Sequence, residues 1–357
     1  MRILALTRYE RLGSSSRVRF FQYFPYLQAH GVEITTASFF NDTYVHRMYA
    51  RKAVNFASVV NAYIQRLLKL FNSSKYDVLW IEKELFPWLP AWFEVLLRTL
   101  GVPYVVDYDD AVFHRYDMHS SALVRALIGH KIDRVMRAAA LVIVGNEYLA
   151  ERAKRAGAKR VEILPSVVDV DRYKANGEIS SSSIRIGWIG SPVTAPYLEE
   201  IREALQILSR EADVYLTLIG AGNVAPFPGI RTTALPWDEE LELSVGELFD
   251  IGIMPLIDGP FERGKCGYKL IQYMAGRLAV IASPVGVNRQ IVEAGRSGYL
   301  ASSTEEWLGA FRSLSHNKQL CVEMGKAGRQ KAEQMYNLSV TAPKLLHLLA
   351  SAQKAKS

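Results

Sequence analysis

Two clusters in this chain combine residue types that could do chemistry. The first lies between Asp250 and Gly286, where the apolar run Ile251 to Pro255 reads as a buried strand. A loop rich in Gly, Pro and charge follows, then an expected helix over 268–275 and a second strand at Val280 to Ala282. At the loop–helix junction stand Arg263, Gly264, Lys265, Cys266, Gly267, Tyr268 and Lys269. Backbone N–H groups at a helix start, glycines that permit close approach and cations at the junction make a cradle for a polyphosphate. An ordinary crossover with solvated lysines is the plainer alternative. The second cluster ends a predicted strand at Val102 to Tyr108, where Asp107, Asp109 and Asp110 put three carboxylates in four positions. His114 and Arg115 lie just beyond. Like charges so close are costly without a partner or a task. Accepting a hydrogen bond or proton from a substrate hydroxyl is one such task; holding a divalent ion is the rival.

Smaller signals lie at other strand ends. Val78 to Ile81 predicts a strand that runs into Glu82-Lys83-Glu84, and Glu84 is a candidate substrate contact because functional groups of parallel sheets gather at strand C-termini. Trp88 and Trp92 follow and read as core residues, with a groove lining as the alternative. At the start of the chain, Ile3 to Leu6 reads as a strand, Gly13-Ser14-Ser15-Ser16 as a loop and 17–30 as a helix. This is the pattern of an anion-binding turn, although a tight turn capped by Ser16 explains it equally. The spacing is not G-x-G-x-x-G, so a dinucleotide fingerprint is lacking. Asn146 is placed to cap the helix that follows the strand Leu141 to Val144.

The Asp250–Gly286 segment resembles the donor-nucleotide segment of retaining glycosyltransferases of the GT-B fold, family 4 type (glycosyl transferases group 1). Their pattern is a Glu, seven residues, a second Glu, Ala-Met-Ala and a turn into Pro-Val-Val-Ala. Here Ile271-Gln272-Tyr273-Met274-Ala275-Gly276 and Ala279-Val280-Ile281-Ala282-Ser283 occupy those places, with Gln272 at the second Glu and Gly264 at the first. The Glu-x7-Glu motif is therefore degenerate. The resemblance implies that Gly13, Ser14, Gly190, Ser191, Arg263, Lys265, Gly267, Tyr268, Lys269 and Gln272 bind a nucleotide-sugar donor, Gln272 through the ribose, with Glu262 a candidate for the sugar. It places Asp109 where relatives carry His and Asp110 at the following Asp, so these two are the implied catalytic residues, and Glu84, His114 and Arg115 the acceptor contacts. Pro165-Ser166-Val167-Val168-Asp169 resembles the segment that closes the first domain.

The remaining features bound this reading. A chain of 357 residues suits two domains, and 49% hydrophobic with 22% charged residues describes a soluble globular protein. The fold class expected is α/β: two Rossmann-like domains facing a cleft (GT-B), with the C-terminal helix crossing back to the first. The domains are expected at 1–173 together with 337–357, a linker at 174–183, and 184–336. No apolar run reaches the ~20 residues of a spanning helix, and Arg8 interrupts the first apolar run too early for a signal peptide. Two cysteines without metal-ligand spacing suggest a reduced, cytoplasmic protein with no cofactor and no metal. Residues 1–175 carry 25 Lys and Arg against 17 Asp and Glu, a net +8, while the remainder is at −1. Without a nucleic-acid motif, that basicity suits an anionic membrane surface or a lipid diphosphate. The basic, aromatic stretch 44–71 is the expected contact, its cations on one face and apolar groups on the other, on the inner face of the plasma membrane. An amphipathic packing helix is the alternative. The function so implied is sugar transfer from a nucleotide sugar to a hydroxyl of a glycan or lipid-linked acceptor, with retention, in bacterial surface polysaccharide or glycoconjugate assembly. The alternatives are a catalytically weak nucleotide-sugar-binding subunit of a glycan-assembly complex and a sugar-nucleotide epimerase of the same fold.

Overall fold

Short apolar runs separated by helices place twelve strands in two six-stranded parallel sheets, in a computed structural model that describes residues 1–50, 52–53, 55–175 and 183–353. The chain divides into two compact units. One comprises Met1–Ser166, Arg263–Cys266 and Ser339–Ser357; the other comprises Val167–Glu262 and Gly267–Leu338.

In the first unit the strands are β1 (Arg2–Leu6), β2 (Glu33–Thr36), β3 (Val78–Glu82), β4 (Tyr104–Tyr108), β5 (Leu141–Val144) and β6 (Val161–Ile163). Their order across the sheet is β2-β1-β3-β4-β5-β6. The central strands β3, β4 and β5 are buried along their whole length, as expected of a parallel sheet covered on both faces. The direction of winding reverses between β1 and β3, and the crevice at such a reversal, beyond the strands' carboxyl ends, is where α/β sheets bind ligands. The last helix, Leu338–Ser351, belongs to this unit from Ser339 onward, and Thr341 Oγ1 lies 3.1 Å from the Tyr23 hydroxyl.

The second sheet holds β7 (Ile184–Ile189), β8 (Val214–Ile219), β9 (Arg231–Leu235), β10 (Ile251–Met254), β11 (Ala279–Ala282) and β12 (Gly298–Leu300). Its order is β12-β11-β10-β7-β8-β9, with the reversal between β7 and β10. Counted within the unit this is the doubly wound 3-2-1-4-5-6 order of nucleotide-binding folds. The helix Tyr268–Ala275 carries the chain from β10 to β11 and is buried from Leu270 onward.

Several expectations change. The single helix expected over 17–30 is broken into Ser14–Arg19, a 3-10 turn Phe21–Tyr23 and Phe24–Ala29, with Pro25 in the first turn of the last piece. Val167 to Tyr173 belong to the second unit and not the first, because Val168 N donates to Tyr336 O at 3.1 Å and Leu338 N returns to Val168 O at 2.8 Å. Of the expected linker 174–183, residues 176–182 lie outside the described residues, as do Arg51 in the basic stretch and 354–357 at the end. Trp88 and Trp92, expected in the core, are 51% and 67% exposed. The helix Phe56–Phe71 buries one of its cations: Arg66 points inward and donates to Thr7 O (2.7 Å) and Ala37 O (3.1 Å), while Phe56, Ile64, Leu68 and Phe71 face outward. Burial pulls the Arg66 guanidinium down to about 9, against the raising influence of Glu82 and Glu94.

One buried ion pair ties the first sheet to its helices. Arg19 Nε donates to Asp107 Oδ1 at 2.8 Å and its Nη1 to Leu164 O at 2.8 Å, with Arg19 and Asp107 both almost fully buried. Arg19→Met leaves the Asp107 carboxylate uncompensated inside the sheet and should cost about 3–5 kcal/mol. Denaturant unfolding measures this, and a loss below ~1 kcal/mol would show that Asp107 does not depend on Arg19.

Candidate functional site

The carboxyl ends of β1, β3, β4 and β5 bring one polar cluster together in the first unit. Asp109 and Asp110 follow β4 directly and keep 16% and 20% of their side chains exposed. Between them sits the buried Lys83, one residue past β3, with Nζ 3.0 Å from Asp109 Oδ1, 2.9 Å from Asp110 Oδ2 and 3.2 Å from Ser15 Oγ. Burial alone would raise the Asp110 carboxyl, but Lys83, Arg115 and Lys265 together hold it down at about 2. Asp109 Oδ1 is buried against the Lys83 ammonium, while Asp110 Oδ1 is buried with no hydrogen-bond partner among the described residues. A buried acceptor left open in this way marks a place where a ligand or a strained network belongs.

The run Arg263–Cys266 joins this cluster. Asn146 Oδ1 accepts from Leu149 N at 3.0 Å, capping the helix Glu147–Arg155 as the sequence predicts. Its Nδ2 also donates to Gly264 O and Lys265 O, each at 3.0 Å, pinning the loop. Gly264 lies so close to Ala111 that an added Cβ would stand 2.5 Å from the alanine Cβ, so the loop rests there only as glycine. The expected single phosphate cradle is thereby divided: Arg263 and Lys265 belong to the first unit, Gly267, Tyr268 and Lys269 to the second.

Other residues take places the sequence does not reveal. Glu84 is corrected as an acceptor contact, because it is buried and its oxygens accept from Tyr116 OH (2.9 and 2.8 Å), Arg8 Nη1 (3.2 Å) and Lys131 Nζ. Burial opposes its ionisation, and the charges of Lys131 and Arg8 overcome that and hold its pKa below the ordinary value. His114 is engaged at both ring nitrogens, at 2.8 Å from Asp117 Oδ1 and 2.8 Å from Tyr148 OH, while Arg115 is exposed beside the cluster. Gly13 begins the helix Ser14–Arg19 with no side-chain cap, and Ser14 is exposed on its first turn. Ser16, expected as a cap, instead donates to Glu82 Oε2 at 2.6 Å and accepts from Tyr9 N. Asp107 leaves the acidic run altogether for Arg19. Among the described residues no group of three or more His, Cys, Asp or Glu side chains is gathered to hold a metal ion.

The second unit has its own polar features at the β7/β10 reversal. The helix Tyr268–Ala275 starts at Gly267, whose φ of +65° only glycine adopts easily, and no side chain caps it. Lys269 places its ammonium 5.1 Å above the Trp188 ring, at the end of β7. Gly190 and Ser191 follow β7, and the Ser191 amide donates to Thr194 Oγ1 at 3.2 Å. Gln272 is corrected as a ribose contact: it is 2% exposed and donates to the Tyr173 hydroxyl at 3.4 Å. The Tyr268 hydroxyl goes to Glu242 Oε1 at 2.9 Å, and Trp237 Nε1 to Glu242 Oε2 at 2.9 Å. Glu242 is thus a buried hub; its place in a short run of acidic and leucine residues gives no sequence signal. Glu262 accepts from the Tyr197 hydroxyl and is largely buried.

Residues 27–166 match the glycosyl transferase 4-like domain. No curated protein sequence matches the chain significantly. Among solved structures, sucrose-phosphate synthase of Thermosynechococcus elongatus is similar at 14% identity and TM-score 0.73, over 98% of each chain. HepE of Anabaena, solved with UDP and glucose, is similar at 15% identity and TM-score 0.71, over 98% of this chain and all of that one. WaaG, a glycosyltransferase involved in lipopolysaccharide biosynthesis, is similar at 12% identity and TM-score 0.70, over 98% and 99%. At such identities the structures establish the fold alone. Residues 27–166 carry a glycosyl transferase 4-like domain, and the chain as a whole has the α/β fold of two parallel six-stranded sheets that GT-B glycosyltransferases share.

Proposed function

We propose that the chain transfers a sugar from a nucleoside diphosphate donor to a hydroxyl of a glycan or lipid-linked acceptor, with retention, in surface polysaccharide or glycoconjugate assembly. Retention and pathway rest on the resemblance to family 4 enzymes and on WaaG. A uridine donor is supported by the HepE complexes with UDP and with UDP-glucose. The observation that carries the catalytic reading is the partly exposed Asp109–Asp110 pair at the end of β4, beside the β1/β3 reversal, with Asp110 Oδ1 buried and unpaired among the described residues. In this reading the acceptor oxygen bonds to C1 of the donor sugar and the C1–O bond to the diphosphate breaks. The hydroxyl proton passes to Asp109, and the nucleoside diphosphate leaves with the bonding electron pair. Donor binding falls to the second unit, where the uncapped start of the helix Tyr268–Ala275 and Lys269 favour negative charge. Gly190, Ser191 and Tyr268 lie in the same unit, and Arg263 and Lys265 are further candidates for the phosphates. His114 and Arg115, beside the acidic pair, are the remaining acceptor candidates. No metal or other cofactor is assigned to the step.

The lipid-linked acceptor and a peripheral place on the cytoplasmic face of a membrane are favoured by one surface of the first unit. Phe56 (79% exposed), Phe71 (75%), Trp92 (67%), Leu123 (67%) and Leu127 (65%) all face outward. Tyr63, on the helix Phe56–Phe71, donates to Pro87 O and stacks on Phe86 at 5.9 Å, and Trp88 meets His119 at 5.7 Å, joining these elements. Residues 43–76 contain no Asp or Glu and six Lys or Arg, of which Arg47, Lys52, Lys69 and Lys75 are exposed. Exposed apolar side chains on a segment whose carboxylates are absent and whose cations are exposed match an anionic bilayer surface. Among the described residues no helix is long and apolar enough to cross a membrane.

Two outcomes are expected. In thermal shift, UDP and UDP-sugars should raise the melting temperature above that seen with other nucleoside diphosphates. Asp109→Asn should slow UDP release from UDP-glucose by roughly 10²–10⁴-fold, the range of general acid–base catalysis, with calorimetric UDP affinity changed less than ~3-fold. Equal losses in release and affinity would contradict the role of Asp109. For the surface, the full chain should co-sediment with phosphatidylglycerol-containing vesicles and be released by high salt. Phe71→Ser combined with Trp92→Ser should abolish sedimentation; equal binding to purely neutral vesicles would remove the charge argument.

A further inference from the structure

The turn that carries Lys83 is strained. Lys83 has φ +64°, and the Glu84 amide donates back to the Glu82 carbonyl at 2.7 Å, closing a three-residue γ-turn centred on the lysine. Glycine would adopt this conformation at little cost, whereas a side chain there persists only when its surroundings demand it. What they demand is visible in the partners of Nζ: Asp109 and Asp110, supplied by the loop after β4, and the Ser15 hydroxyl, supplied by the helix Ser14–Arg19. The Lys83 amide donates to Asp107 O at 3.1 Å, which locks the turn to β4.

We infer that Lys83 is the positioning residue of the transfer reaction, a buried ammonium that fixes the direction and charge balance of the Asp109–Asp110 pair. The inference rests on the proposed role of Asp109 at the acceptor hydroxyl. Two adjacent carboxylates without a cation would share a proton and lose one ionised member. Lys83 prevents this from inside the protein, where screening by salt is weak. The other charged or titratable groups around the pair are Arg115 beyond β4, Lys265 and Cys266 on the 263–266 loop, Glu82 at the end of β3, and Asp107 with its partner Arg19. Glu82 and Asp107 add negative charge nearby, and Arg19 is spent on Asp107. Lys83 touches both carboxylates at 3.0 Å or less.

The test is the pH dependence of UDP release from UDP-glucose by the full chain. Removing the ammonium raises the proton affinity of the pair, so in Lys83→Met the acid limb of the kcat profile should move up by about one pH unit or more. At a pH on that limb kcat should fall at least tenfold, with the KM for UDP-glucose within twofold of the parent. Lys83→Arg, which keeps the charge, should keep the limb near its original position. Lys83→Gly removes the ammonium and relieves the turn together. It should melt no lower than Lys83→Met and show the same displaced limb, which also covers the case in which Lys83→Met does not fold. A folded Lys83→Met or Lys83→Gly enzyme with an unmoved limb overturns the inference, as does a KM rise that matches the fall in kcat. The outcomes separate from those of the parent reading. If Asp109→Asn releases UDP at the parental rate, the role of Asp109 fails; if it is inactive while the Lys83 variants keep the limb, only the inference about Lys83 fails.

Discussion

A charge withdrawn from water must be met by an opposite charge or by several hydrogen bonds within a few ångströms. That requirement orders the carboxyl end of the first sheet. Arg19 is spent on Asp107, Lys131 and Arg8 on Glu84, and Lys83 on Asp109 and Asp110. The three arrangements differ in exposure. The first two are almost wholly enclosed, with carboxylates 1% exposed, whereas Asp109 and Asp110 retain 16% and 20%. Enclosed pairs can brace the framework but have no surface to offer a substrate. Only the Lys83 group combines a fixed geometry with access, and that difference separates the site from its scaffold.

Topology explains why the accessible group lies where it does. Winding reverses between β1 and β3, so the loops after these strands leave the sheet in opposite directions and open a crevice. Ser15 comes from the first turn of the helix that follows β1, Lys83 from the end of β3, and the aspartates from the end of the adjoining β4. In the second unit the reversal lies between β7 and β10, and Trp188 at the end of β7 meets Lys269 on the helix that follows β10. Each unit repeats one rule with different chemistry, acidic in the first and cationic in the second.

Much of the fold was legible because parallel strands buried on both faces leave short, uninterrupted apolar runs. Ile3 to Leu6, Leu141 to Val144 and Ile184 to Ile189 could be read directly. β9 was not, since Arg-Thr-Thr-Ala-Leu at a sheet edge is mostly exposed and polar. The site was half legible. The acidic run was conspicuous, but nothing local shows that Asp107 turns to an arginine 88 positions earlier while its neighbours turn to Lys83. Asn146 was readable as a cap because its acceptor serves the chain three residues on; the other end of its amide holds a loop 118 residues away, which no local pattern reports. The helix Phe56–Phe71 was half legible for a related reason. Periodicity finds an amphipathic stripe without saying which side faces the core, and nothing local shows that Arg66 turns inward to two carbonyls while the apolar stripe turns outward.

The division of the run from Arg263 to Lys269 has a consequence for charge. On the sequence its cations formed one basic cluster, a natural counter to a diphosphate. In the structure Lys265 helps hold the Asp110 carboxyl low, so part of its charge is already answered inside the first unit. The second unit supplies Lys269, whose ammonium rests on the Trp188 indole face, and the uncapped helix start. In the proposed reading these two features supply that unit's attraction for the donor phosphates. Lys265 belongs more to the acidic pair, where its presence favours an ionised Asp110.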